Sequence, residues 1–404
     1  MSKRKTLLSN SASHLFYGLL RIALWADRED IVRNEIASLE KQSYSQNDWD
    51  SICKFALDQT VMGLLDKAID KVPESLWPPK NVRMQMFMHG NRIKQMHAVL
   101  NRSLYGITQK LNGESVYSVL LKGQGIAQDY AQPEARQCGD LDIWLGNDVY
   151  QNVCDAIQKE GYSADYAMAR ADKHLNFTYE KSTVEIHRYS ANLNYAHKNT
   201  AFHAWTDECL KSTQRCMWVS KDWKAGNEQS EDAVKVLLPQ ATYNALYIFL
   251  HLYRHFIYGG VGFRQLCDWC RCIYVHYSEI DQVELEARLK DFKLYHPWQV
   301  FGAMCVEVLG MPKENMPFYT DKYNSKIGRL QSYVESDGNF GHISMKNKVR
   351  PQSLLAGKFF SLRCKIERFA SLLFLFPKDV IATFFICIPH GLKAAWYQYK
   401  DRQK

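Results

Sequence analysis

Two aspartates standing one residue apart inside an apolar run constrain this chain more than any other feature. Residues 121–145 read LKGQGIAQDYAQPEARQCGDLDIWL, a glycine-bearing turn after an apolar run and then the alternating segment from Asp140 to Leu145. Strand side chains alternate between faces, so Asp140 and Asp142 share one face while Leu141, Ile143 and Leu145 point the other way, into a core. Two carboxylates held that close repel unless a cation lies between them. Leaving such charge buried without a partner is costly. The pattern is therefore either a divalent-metal site or a structurally paired couple, and a metal is the simpler way to satisfy both acids.

A third carboxylate follows at 183–187, TVEIH, where Val184 and Ile186 take one face of a strand and Glu185 the other. Three acids on neighbouring strands suit Mg²⁺, which takes oxygen ligands and keeps several waters. Two such ions clamp the attacking and leaving oxygens of a phosphoryl displacement.

Taken in order, LLKG at 120–123, R-x-x-G-D-x-D at 136–142 and V-E-I-H at 184–187 resemble the bacterial nucleotidyltransferase-like family of the DNA polymerase β-type superfamily. The resemblance implies an α+β fold, a small mixed β-sheet core flanked by N-terminal and C-terminal helical regions. It also implies transfer of a nucleoside monophosphate from an NTP to an acceptor hydroxyl, dependent on two Mg²⁺ ions or on Mn²⁺ in their place. Carried over, Asp140, Asp142 and Glu185 are the metal ligands and catalytic acids, with Glu185 helping to deprotonate the acceptor. Gly123 marks the phosphate turn with Lys122 and Gln124 beside it, Arg136 matches a recurrent arginine, and His187 faces the same cleft as Glu185. The turn reads Lys122-Gly123-Gln124 where the wider superfamily has Gly-Ser or Gly-Gly. That departure keeps open a second reading, a catalytically silent nucleotidyltransferase-like module that binds a nucleotide or a partner. The acceptor is not readable: small molecules, RNA and proteins all serve within the superfamily.

Several of these residues also have plain structural readings. Lys122 can be a strand-end lysine reaching solvent, Arg136 can pair with Asp140 or Glu134, and His187 can be an ordinary core histidine. His251 and His255, spaced i and i+4 in HLYRH, have zinc-binding spacing, but no Glu follows the first His as in a zinc protease. They are expected to line the cleft from a helix. Arg264 and Asp268, at the same spacing, are expected to form an intrahelical ion pair or to close the nucleotide pocket. Cys267, Cys270 and Cys272 lack a second pair at zinc-finger spacing and read as buried thiols. Gly123 and Gly125 make a lone GxG without the third glycine of a dinucleotide fingerprint, and no Walker A lysine pattern occurs.

The periodicity predicts helices over 1–112: one over 13–26, a second capped by Asn47 or Asp48, a proline-rich break at 72–80 and a long helix over 81–111. Residues 113–230 are expected to hold the α/β core, with a strand at 116–121, a short helix near 126–130, a helix over 147–159 and a hairpin of 176–179 with 183–187. Residues 191–230 read as irregular. The region 231–404 is expected to be helical, with 232–276 strongly patterned and an interruption around 337–351.

Charge is placed unevenly. The net charge is +8, yet residues 321–404 hold 15 Lys and Arg against 6 Asp and Glu. A basic C-terminal region can make weak contacts with anionic membrane or nucleic acid, or serve only as a solubilising face. An envelope-associated protein resting this region on anionic membrane is a third reading. Spanning is not expected, because the apolar stretches 369–376 and 380–389 are short and separated by Pro377-Lys378-Asp379. The opening MSKRKTLLSN lacks the apolar stretch of a signal peptide. Eleven cysteines in so long a chain are then expected to stay reduced, in a cytoplasm.

Overall fold

The computed structural model describes residues 8–166, 169, 174–221, 232–338 and 353–385. Helices α1 (Asn10–Leu24), α2 (Glu29–Leu39), α3 (Gln46–Asp58) and α4 (Met62–Ile69) precede the proline break, and α5 (Lys80–Gly113) follows it. The hydroxyl of Ser9 caps α1 by accepting from Ala12 N–H at 3.1 Å. Helix α3 is capped by Ser45 rather than by Asn47 or Asp48. Ser45 Oγ accepts from Asp48 N–H at 3.2 Å, and the Asp48 carboxylate accepts from Ser45 N–H at 3.0 Å. This reciprocal pair satisfies two amides that the helix itself leaves unpaired. The 34 residues of α5 make a rod of about 50 Å. Its first half joins the helical core through Val82 and Met86, and its second half lies under the sheet through Leu100, Leu104, Ile107 and Leu111.

The sheet is mixed and six-stranded. Its strands are β1 (Val119–Leu121), β2 (Asp140–Trp144), β3 (His174–Tyr179), β4 (Ser182–His187), β5 (Cys216–Val219) and β6 (Val234–Leu237), in the order β3-β4-β2-β1-β6-β5. Strand β2 runs parallel to β4 and β1 parallel to β6, while the other neighbours are antiparallel. Between strands lie the short α6 (Gly123–Ala127), α7 (Asn147–Lys159) and α8 (Asn199–Lys211). One sheet face carries Leu141, Ile143, Val184, Ile186, Leu175 and Phe177 into a core shared with α5 and with Tyr150, Val153 and Cys154 of α7. The opposite face carries the acids and meets the helical lobe.

That lobe is built from α9 (Ala241–Tyr258), α10 (Phe263–Val275), α11 (Gln282–Asp291), α12 (Tyr295–Leu309), α13 (Asn324–Asp337) and α14 (Leu354–Leu372), with a last helix over 377–385. Helices from both ends of the chain share its core. Phe16 packs against Phe55 at 4.8 Å and Phe263 at 5.7 Å between ring centroids, and Trp25 Nε1–H donates to Leu309 O at 2.7 Å. Among the described residues no helix is long and apolar enough to cross a membrane.

Residues 191–230, read as irregular, contain α8 and β5. Strand β6 opens the stretch expected to be helical and lies beyond the boundary drawn at residue 230. Both strands are four residues long, too short for an alternating pattern to stand out beside the 18-residue α9. The interruption expected around 337–351 lies almost wholly outside the described residues, as does the extreme C-terminus.

Candidate active site

Strand register assembles the acids. Asp142 pairs across the parallel β2–β4 ladder with Glu185, and Trp144 with His187, so Asp140, Asp142, Glu185 and His187 stand on one face. Oxygens of Asp140, Asp142 and Glu185 lie within 4.8 Å of one another. The three line, or lie directly beneath, a cavity of about 300 Å³ between the sheet and helices α9 and α10.

Asp142 is buried between Lys122 and His187. Its Oδ1 lies 2.9 Å from His187 Nε2 and its Oδ2 3.0 Å from Lys122 Nζ. Burial pushes its carboxyl up, but Lys122 and His187 outweigh burial and hold it well below the usual carboxylate range. Glu185 is likewise held low despite burial, chiefly by His187, whose Nε2 is 3.4 Å from Glu185 Oε2. Asp140 goes the other way. Burial raises it, and the neighbouring Asp142 charge raises it further. The pair thus has the unequal proton affinities expected of crowded carboxylates.

Lys122 reaches Asp142 from a strained position. It follows β1 with φ 51°, ψ −142°, a backbone conformation that side-chain-bearing residues seldom adopt, and Gly123 continues the turn at φ 46°. A Cβ at Gly123 would stand 3.2 Å from the Asp140 carbonyl oxygen, so glycine lets the turn lie close to β2. The helix after the turn has five residues and starts three residues earlier than the sequence suggested.

Gln124 departs from its expected place. Its side chain is buried beneath the turn, away from the cavity, where Nε2–H lies 2.5 Å from Asn101 Oδ1 and 3.2 Å from His97 Nδ1. Arg136 does line the cavity, but its partner is neither Asp140 nor Glu134. Its Nε and Nη2 donate to the two oxygens of Asp268 at 2.7 Å each, in a fully buried fork. Tyr130 Oη donates to the same carboxylate at 2.8 Å, and His97 Nε2–H donates to the Arg136 carbonyl at 2.6 Å. Asp268 therefore serves the α/β core rather than Arg264 in its own helix. Arg264 Nη1 donates to the Gln137 carbonyl at 2.9 Å, and burial together with the Arg136 charge pulls its pKa down.

His251 and His255 line the cavity from α9, as expected, with ring centroids 4.4 Å apart. Tyr247, Ser190 and His174 line it too and were not foreseen. His174 had a legible signal. Leu175, Phe177 and Tyr179 alternate toward the core, which extends β3 back to His174 and turns its ring to the acidic face. Cys267, Cys270 and Cys272 are buried, and burial pushes all three thiols up.

The donor set fits a divalent cation. Three carboxylates offer hard oxygen ligands, and Asp142 Oδ2 is buried with the Lys122 ammonium nearby but accepts no well-directed hydrogen bond.

The sequence matches the profile of a family described as uncharacterised nucleotidyltransferase over residues 45–310, about two thirds of the chain. The chain belongs to that family. The matched region runs from α3 through α12, and every cavity residue from Lys122 to Asp268 falls inside it. No curated protein and no solved structure matches the chain.

Proposed function

We propose that this protein is a metal-dependent nucleotidyltransferase moving a nucleoside monophosphate from an NTP to an acceptor hydroxyl. The observation that carries the reading is the convergence of Asp140, Asp142 and Glu185 within 4.8 Å of one another, with Asp140 and Glu185 lining a cavity, in a chain of a nucleotidyltransferase family. The acceptor oxygen attacks the α-phosphorus, a new P–O bond forms, and the bond to the bridging oxygen of the β-phosphate breaks to release pyrophosphate. Asp140, Asp142 and Glu185 would hold two Mg²⁺ ions, which neutralise charge on the phosphates and on the leaving oxygen.

The chain's own residues supply placement and proton handling. Glu185, kept ionised by His187, takes the proton of the acceptor hydroxyl. His187 is a positioning residue that fixes Asp142 and Glu185 by touching both. Lys122, on the strained turn beside Gly123, exchanges its contact with Asp142 for a phosphate oxygen when nucleotide enters. Gln124 contributes by fixing the turn to α5, so any nucleotide contact from this residue is made by its backbone. Arg136, held by Asp268, presents a fixed positive charge to the cavity. Preorganised charge of this kind carries most of the burden in phosphoryl transfer.

A silent binding module is the competing reading, and one observation favours it. Lys122 Nζ and His187 Nε2 already lie 3.0 and 2.9 Å from the two Asp142 oxygens, so the buried carboxylate has partners without any ion. Pyrophosphate release and label transfer from NTPs labelled at the α-phosphate, with cell extract as the acceptor source, separate the two. The wild-type chain should transfer label with Mg²⁺, and Asp142→Asn should lower the rate by at least about 100-fold, as expected for loss of a group that stabilises the transition state directly. Equal transfer by the variant would remove the metal-site reading.

A further inference from the structure

The acidic face holds a second set of donors beside the three carboxylates. His174 and His187 are direct partners across the antiparallel β3–β4 ladder, so their rings share the face that carries Glu185. Donor atoms of His174, Glu185 and His187 lie within 4.8 Å of one another, and the two rings are 5.4 Å apart at their centroids. His187 is buried, and its Nδ1 has no hydrogen-bond partner while Nε2 serves Asp142 and Glu185. Nδ1 is therefore the ring nitrogen that the carboxylates do not engage. Both histidines open on the same cavity as the acids.

We propose that His174, Glu185 and His187 form a distinct site for a late first-row transition-metal ion such as Zn²⁺, Co²⁺ or Ni²⁺, next to the three-carboxylate site. Two imidazoles and one carboxylate are the donors such ions favour, whereas Mg²⁺ prefers an all-oxygen shell. Metal–nitrogen bonds of about 2.1 Å require the three donors to close inward by roughly an ångström. Asp142 on His187 provides the carboxylate that orients a metal-bound imidazole. The remaining coordination positions face the cavity and are open to water or to an oxygen of the bound substrate. The inference rests on the reading above only through Glu185, which both donor sets share.

The full chain, stripped of metal with a chelator, is titrated with Co²⁺ and followed by its visible ligand-field absorption, in the presence of excess Mg²⁺. One Co²⁺ per chain should bind with the spectrum of nitrogen ligation and resist Mg²⁺. His174→Ala should weaken that binding at least tenfold, His174→Gln should do the same without shortening the side chain, and Asp140→Asn should leave it in place. Circular dichroism confirms that each variant is folded. Three outcomes overturn the proposal: no Co²⁺ binding, Co²⁺ displaced by Mg²⁺, or equal binding in both folded His174 variants. Failure of nucleotide binding with Co²⁺ binding intact would instead sink the transferase reading and leave this site standing.

Discussion

At the level of single residues the site depends on carboxylates of unequal proton affinity. Asp142 and Glu185 are held low by His187 and, for Asp142, by Lys122, while Asp140 is raised by burial and by Asp142. Asp140 therefore takes up a proton first as the solution is acidified. Its folded-state pKa exceeds its unfolded one, so this residue weakens the fold at neutral pH and stops doing so as pH falls through its folded value. Two outcomes follow. Mg²⁺ affinity, measured by calorimetry at a series of pH values, should begin to fall above the ordinary aspartate range, and constant affinity through that range would contradict the account. Asp140→Asn should raise the melting temperature of the metal-free protein by about 1–3 °C, the shift that roughly 1 kcal/mol produces in a large domain, and should remove the stabilisation conferred by Mg²⁺. Asp140, Asp142 and Glu185 were legible in the sequence because strand alternation is a local signal. The partner of Arg136 was not, since Asp268 lies 132 residues away and the nearer Asp140 and Glu134 offered equally good charges.

Among the elements, the turn after β1 and the fork between the α/β core and α10 matter most. Gly123→Ala would place a side chain at φ 46° and 3.2 Å from the Asp140 carbonyl. It should cost about 1–2 kcal/mol, read as a lower urea midpoint, and an unchanged midpoint would mean the turn relaxes freely. Asp268→Ala leaves the Arg136 guanidinium buried without its carboxylate, a change that typically costs about 3–5 kcal/mol. The double substitution Arg136→Met/Asp268→Leu should recover much of that loss in urea unfolding, because an apolar pair removes both buried charges. Helices were read well where apolar periodicity runs long, as in α5 and α7. The short β5 and β6 escaped, because four residues rarely establish a period and their place in the sheet is set by β6 pairing with distant β1 and β5 pairing with β6. Caps were read to within a few residues, with Ser45 overlooked although it stands three residues before Asp48.

Across the whole molecule, helices from the two ends of the chain form one lobe that closes the acidic face of the sheet. Tyr17 Oη donates to Glu335 Oε1 at 2.6 Å, and Gln59 Nε2 to the Val334 carbonyl at 3.2 Å, so α1 and α3 lock onto α13. Sequence periodicity showed helical regions on both sides of the core but gave no sign that they share an interior, since a periodic apolar face does not say which face it meets. The cavity is the product of that closure: the sheet supplies the acids, and α9 and α10 supply Tyr247, His251, His255 and Arg264. The central claim is that this cavity binds an NTP through metal-loaded carboxylates. Calorimetric titration of non-hydrolysable analogues of each NTP, with and without Mg²⁺, tests it most directly when repeated on the Asp140→Asn/Asp142→Asn double variant. Binding of at least one nucleotide that requires Mg²⁺ and disappears in the folded double variant is the predicted result. Nucleotide binding that is equally strong without Mg²⁺ or in the double variant, or no binding of any NTP by the folded wild-type chain, would contradict it.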